Sequence, residues 1–210
     1  MRAANGVEAE LPPGRSNVLL LIDTSRSMAG AKLEQAKSGA IDFAHCAIRK
    51  GYATALAVFA NRAAVVCDAT IDSAYFASRV TQLEVGVMGV TTDLAAALIL
   101  ADKIAELAVV VVVTDGATAQ EPALRSAATL KDKNVEILCI GTDDADAKFL
   151  KGLATRSDLA TYVRSQDLRS AIDGASRLLE AKQSARILIT PSSVFPRARR
   201  KMRSREPTGT

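Results

Sequence analysis

Five consecutive valines, Val109 to Val113, run straight into Thr114, Asp115 and Gly116 in the stretch LAVVVVVTDG. A strand with one wetted face alternates apolar and polar residues, whereas an unbroken β-branched run suits a strand covered on both faces. Two-sided cover requires helices above and below, so the run predicts an inner strand of a mostly parallel sheet in an α/β fold. At seven residues, LAVVVVV is far too short to cross a bilayer. A second run, VLLLI at 18–22, also ends in a carboxylate, Asp23.

Between and after these strands the periodicity switches to that of helices. AKLEQAKSGAIDFAHCAIRK places Leu33, Ala36, Ala40, Ile41, Ala44 and Ile48 on one helical face. YATALAVF and AAVVCDAT read as strands separated by a few residues around Asn61 and Arg62, a link that can join only antiparallel neighbours. TDLAAALILADKIAEL reads as a helix with Leu94, Leu98, Ala101 and Ala105 on one face. EPALRSAATLKDKN carries Pro122 in its first turn. VEILCIGT and LATYVR follow as strands, and Ser165 stands as the cap of QDLRSAIDGASRLLE. The alternation predicts an α/β sandwich with one antiparallel hairpin.

Charge is uneven along the chain. Eight of the 27 basic residues but one of the 23 acidic ones lie from Lys182 onward, which leaves the body mildly acidic and the tail strongly basic. The expected division is an N-terminal tail over 1–16, a domain over 17–181 and a basic tail over 182–210. The tail holds Pro191, Pro196 and the cluster RARRKMRSR. Clustered arginines suit either a solvated tail or weak, sequence-indifferent contact with nucleic acid, and ARILI at 185–189 reads as a possible short strand. The N-terminal stretch has no apolar h-region, so the expectation is a cytoplasmic protein without a membrane partner. Cys46, Cys67 and Cys139 are odd in number, lack CxxC spacing and sit among apolar neighbours, which predicts buried free thiols.

The chemistry concentrates where the strands end. Asp23, Ser25 and Ser27 stand two apart just beyond VLLLI. Such residues serve as turn and cap formers wherever a strand hands over to a helix. Together they also supply one anionic and two hydroxyl oxygens, the ligand type that hard cations take. Asp115 ends the valine strand, and GVTTDLAAAL at 89–98 places Thr91 and Thr92 in a loop that opens a helix. In open α/β sheets ligands gather beyond the carboxyl ends of the strands, where the strand order reverses.

With these motifs the sequence resembles a von Willebrand factor A domain of the bacterial intracellular type. A DxSxS motif (Asp23, Ser25, Ser27), a loop threonine and a strand-end TDG (Asp115) match its metal-ion-dependent adhesion site. The resemblance implies a three-layer Rossmann-like sandwich, its central sheet mostly parallel with one antiparallel hairpin strand and helices on both faces. It implies a site for Mg2+ or Mn2+ built from Asp23, Ser25, Ser27, Thr92 and Asp115. In that family the hydroxyls bind the cation directly and the two aspartates act largely through water. The loop departs from the usual Gly-Gly-Thr-Asp-Leu; Leu94 and the alanines after it align best with Thr92 as ligand, and Thr91 is the alternative. By the same resemblance the chain is a non-enzymatic adaptor that holds an Asp or Glu side chain of a protein partner. Such partners belong to systems like MoxR-like ATPases, chelatase-type motors or stress and conflict responses.

Enzymatic readings fare worse. The haloacid-dehalogenase pattern DxDx(T/V) has Ser25 where its second aspartate belongs, and DTSRSMAG lacks the GxGxxG of a dinucleotide site. The single histidine, His45, lies mid-helix beside apolar residues and reads as structural. Arg26 and Met28 are expected to ring the cation site, one offering charge and the other an apolar flank.

Overall fold

The computed structural model describes residues 15–116, 118–142 and 145–189, the last ten of these by backbone alone. The strands are β1 (Asn17–Asp23), β2 (Ala53–Phe59), β3 (Ala63–Thr70), β4 (Leu107–Thr114), β5 (Glu136–Thr142) and β6 (Ala160–Val163). The helices are α1 (Ala31–Arg49), α2 (Ser73–Thr81), α3 (Leu94–Ala101), α4 (Gln120–Asp132), α5 (Ala147–Leu153) and α6 (Leu168–Ile189). They build one six-stranded sheet in the order β3-β2-β1-β4-β5-β6, parallel except where β3 runs against β2. The expected three-layer sandwich is the observed one: α1 packs on α2 and α6, and α4 on α3 and α5.

The valine run explains the centre of this arrangement. β1 and β4 lie side by side in the middle of the sheet, paired from Val18↔Val109 to Ile22↔Val113. Every residue of both runs is fully buried, as strands covered on two faces must be. Each such side chain contributes roughly 1.5–3 kcal/mol of transfer free energy. Because β1 leads to β2 on one side and β4 leads to β5 on the other, the strand order reverses at the β1/β4 boundary.

Several elements differ from the expectation. The helix read over TDLAAALILADKIAEL stops at Ala101, and Ala105 is exposed; Glu106 then adopts a positive φ of 50° as the chain turns into β4. No Gly or Pro marks that turn. Helices α2 and α5, of nine and seven residues, did not stand out from the pattern. A 3-10 turn over Ser165–Asp167 precedes α6, so the helix proper begins three residues beyond the expected cap. ARILI continues α6 rather than forming a strand. His45 is exposed on α1 and does not pack among the apolar residues beside it in sequence. Cys67 and Cys139 are buried free thiols as expected, whereas Cys46 is only partly covered. Residues 1–14 and the basic cluster beyond residue 190 lie outside the described residues.

Candidate metal centre

Three loops meet above the carboxyl ends of β1 and β4. The first leaves β1 at Asp23, makes a 3-10 turn over Arg26–Met28 and enters α1 through Gly30. Asp23 is wholly buried, and each of its oxygens is engaged. Oδ1 accepts the Ser25 N–H at 2.8 Å, while Oδ2 accepts the Thr114 hydroxyl at 2.7 Å and the Thr92 hydroxyl in a long contact of 3.4 Å. Burial pushes the Asp23 carboxyl above its ordinary pKa, and nearby Asp115 adds to the rise; the hydrogen bonds from Thr114 and Ser25 offset part of it.

The turn-former reading of the DxSxS segment accounts for only part of this. Asp23 does hold the turn through Oδ1. Ser25, however, stands at the cap position of the 3-10 turn without a side-chain cap hydrogen bond, and the cap residue of α1 is Gly30. The Ser25 hydroxyl instead lies 3.1 Å from that of Ser27, which donates to Asp115 Oδ1 at 2.7 Å. A carboxylate only accepts, so the single proton of Ser27 goes to Asp115 and the Ser25 proton goes to Ser27. Thr92 likewise spends its proton on Asp23. The three hydroxyl protons are therefore committed to Ser27, Asp115 and Asp23, and each oxygen keeps at least one lone pair to offer.

The second loop brings Thr92. Asn61, at the hairpin turn, accepts the N–H groups of Val90 (2.7 Å) and Thr91 (2.9 Å) on Oδ1 and so fixes the chain just before it. Gly89 allows this approach: its φ is +118°, and a Cβ there would stand 2.1 Å from Asn61 Oδ1. Thr91 is exposed with its N–H turned to Asn61, so the hydroxyl that reaches the carboxylates is that of Thr92. The third loop brings Asp115 and Gly116, where an added Cβ would meet Thr92 Oγ1 at 2.8 Å. Thr118 ties the second and third loops together by donating to Thr92 O at 3.1 Å and accepting from Leu94 N at 3.2 Å.

All five residues singled out from sequence thus come together. Four that matter locally were not singled out: Thr114, Asn61, Thr118 and Lys32, whose ammonium lies 2.5 Å from Asp115 Oδ2. Thr114 stood next to Asp115 in TDG and was legible in principle; the others act over 24 to 83 residues of sequence and carry no local signal. Of the two expected rim residues, Arg26 is exposed but Met28 is fully buried, because the 3-10 turn points it down into the core. The apolar groups exposed on the loop that carries Thr92 are Val87 (56%) and Val90 (55%).

The donor set fits a hard divalent cation: hydroxyl and carboxylate oxygens only, with the hydroxyl protons committed elsewhere. Among the described residues no cluster of three or more His, Cys, Asp and Glu side chains occurs, which leaves out the soft and imidazole-rich sites that transition metals favour.

An open parallel sheet with an oxygen cluster at its switch point defines a class of α/β ligand-binding domains. Residues 17–177 match the von Willebrand factor type A domain, and the chain belongs to that family. Domains of this family generally mediate protein–protein interaction and adhesion. The fold is similar to that of proximal thread matrix protein 1 from the mussel byssus, with 18% identity and a TM-score of 0.69 over 79% of this chain and 46% of that one. This chain therefore spans less than half the length of the byssus protein. The von Willebrand factor domain of the type V pilus tip protein Mfa5 from Porphyromonas gingivalis aligns over 86% of this chain and 98% of its own, with 15% identity and a TM-score of 0.67. A second structure of the byssus protein, described with a zinc-occupied MIDAS motif, aligns over 78% of this chain and 46% of its own at 17% identity and a TM-score of 0.61. No curated protein matches this chain in sequence. No helix among the described residues is long and apolar enough to cross a membrane.

Proposed function

We propose that the chain is a non-enzymatic docking module, an adaptor in a bacterial intracellular complex, that binds Mg2+ or Mn2+ through Asp23, Ser25, Ser27, Thr92 and Asp115. The observation that carries this reading is the hydroxyl cluster itself. Ser25, Ser27 and Thr92 give their protons to one another or to buried carboxylates rather than to the backbone, at the one place in the sheet where the strand order reverses. An N-cap serine instead accepts a backbone N–H on its hydroxyl oxygen, which Ser25 does not do.

When bound, the cation supplies a coordination position that accepts a carboxylate oxygen from another molecule. The chain does the rest. Thr114 holds Asp23 in place, Asn61 and Thr118 hold the Thr92 loop, and the exposed Arg26 guanidinium draws an incoming acidic side chain toward the site. Val87 and Val90 give that acidic residue an apolar flank on the partner's surface. The zinc-occupied motif of the byssus protein supports a divalent ion at this place in the fold. The cation of choice here is the harder one, because every ligand is oxygen.

The test is affinity capture from native lysate in Mg2+ and again in EDTA, with Asp23→Ala as control. A partner is retained by the wild type in Mg2+ and lost in EDTA and in the variant. Equal capture under all three conditions contradicts the proposal.

A further inference from the structure

Lys32 is out of place by local rules. It is the second residue of α1, where the partial positive charge of a helix N-terminus disfavours a cation. Its ammonium nevertheless reaches Asp115 Oδ2 at 2.5 Å, across 83 residues of sequence. The Asp115 side chain is wholly buried while that of Lys32 is 21% exposed, so the lysine is the charge that neutralises the carboxylate and also the partner with a way out to water. The other oxygen of Asp115 accepts the Ser27 hydroxyl. Asp115 thus has a donor on each oxygen, and one of those donors carries a full positive charge on the same carboxylate that takes the Ser27 proton.

Two cations crowded onto one buried carboxylate repel each other strongly where water is scarce. A lysine ammonium is a compact charge on a flexible four-carbon stem, able to leave Asp115 without disturbing α1. From this geometry, and resting on the metal-centre reading above, we propose that Lys32 and the divalent cation are alternative counter-charges to Asp115: the ion binds only as Lys32 withdraws. Lys32 then sets the ion affinity of the site. It keeps Asp115 neutralised and the three loops assembled at low cation concentration, and it makes the domain responsive to the concentration of free Mg2+ or Mn2+ rather than permanently loaded.

The test is calorimetric titration of Mn2+ into wild type, Lys32→Met and Lys32→Arg, with thermal unfolding of each in EDTA. Lys32→Met keeps the length of the stem and deletes the charge; its Mn2+ affinity rises at least tenfold. Lys32→Arg keeps the charge and stays within about threefold of wild type. In EDTA the methionine variant melts lower than wild type, and saturating Mn2+ raises its melting temperature by more. Unchanged or weaker Mn2+ binding by folded Lys32→Met overturns the inference and leaves the metal centre standing. Absence of Mn2+ binding by every variant and by wild type overturns both.

Should Lys32→Met fail to fold, the wild type itself decides. Acetylation of Lys32 by acetic anhydride at neutral pH, followed by mass spectrometry, becomes several-fold faster in Mn2+ as the ammonium leaves Asp115. An unchanged rate in Mn2+-saturated protein overturns the proposal.

Discussion

The middle of β1 and β4 and their carboxyl ends are consecutive in sequence and equally buried, yet they are built on opposite principles. From Val18 to Ile22 and from Val109 to Val113 the side chains are apolar and fully covered. One or two residues further on, Asp23, Thr114 and Asp115 are as thoroughly buried, at 0%, 2% and 1%, and all are polar or charged. In the first region burial is the source of stability. In the second it is a cost, offset by hydrogen bonds and by Lys32, and the sign of the Asp23 pKa shift records that cost. A fold that needed only stability would have continued the apolar run.

Breaking the apolar region has the largest expected effect. Leu20→Ala leaves a cavity in the fully buried core and lowers stability by about 3 kcal/mol in chemical denaturation. The apparent Mn2+ affinity of the fraction that remains folded changes little, because Leu20 lies three residues inside the strand end. A loss of affinity as large as the loss of stability would show that the two regions are not separable.

Substitution in the polar region reverses the pattern. Asp23→Asn removes the buried charge while keeping an acceptor for the Ser25 N–H, and the Thr92 and Thr114 hydroxyls can rotate to accept from the new amide. Stability at neutral pH in EDTA stays within about 1 kcal/mol of wild type or rises, since an unneutralised buried carboxylate is lost. Mn2+ binding is lost. A stability loss of the size of Leu20→Ala would mean that Asp23 is a structural keystone rather than a retained liability.

The contrast between the regions also explains how much could be read from sequence. Burial of apolar strands follows from composition alone, so the central position of the valine run, the β2–β3 hairpin and the helical face of α1 around Leu33, Ala36, Ala40 and Ala44 were legible. The DxSxS segment, Thr92 and Asp115 were legible because their spacing from strand ends is local, whereas the destinations of their hydroxyl protons were not, because Asp115 and Asp23 are reached across the fold. What escaped were features without local marks. Helix α5 spans barely two turns, and the end of α3 at Ala101 is set by the turn through Glu106 rather than by a breaker residue. Met28 was expected on the rim because it neighbours the serines, but a 3-10 turn reverses its direction. The Lys32–Asp115 pair links α1 to the end of β4, and nothing near either residue announces it.

The central claim is that three hydroxyl oxygens held between two buried carboxylates form a cation site. The most direct measurement is a crystal structure grown in Mn2+, with diffraction recorded at an energy where manganese scatters anomalously. The account predicts a single strong anomalous peak within bonding distance, about 2.2 Å, of Ser25 Oγ, Ser27 Oγ and Thr92 Oγ1. A fully ordered domain with no peak between Asp23 and Asp115 at millimolar Mn2+ would contradict it.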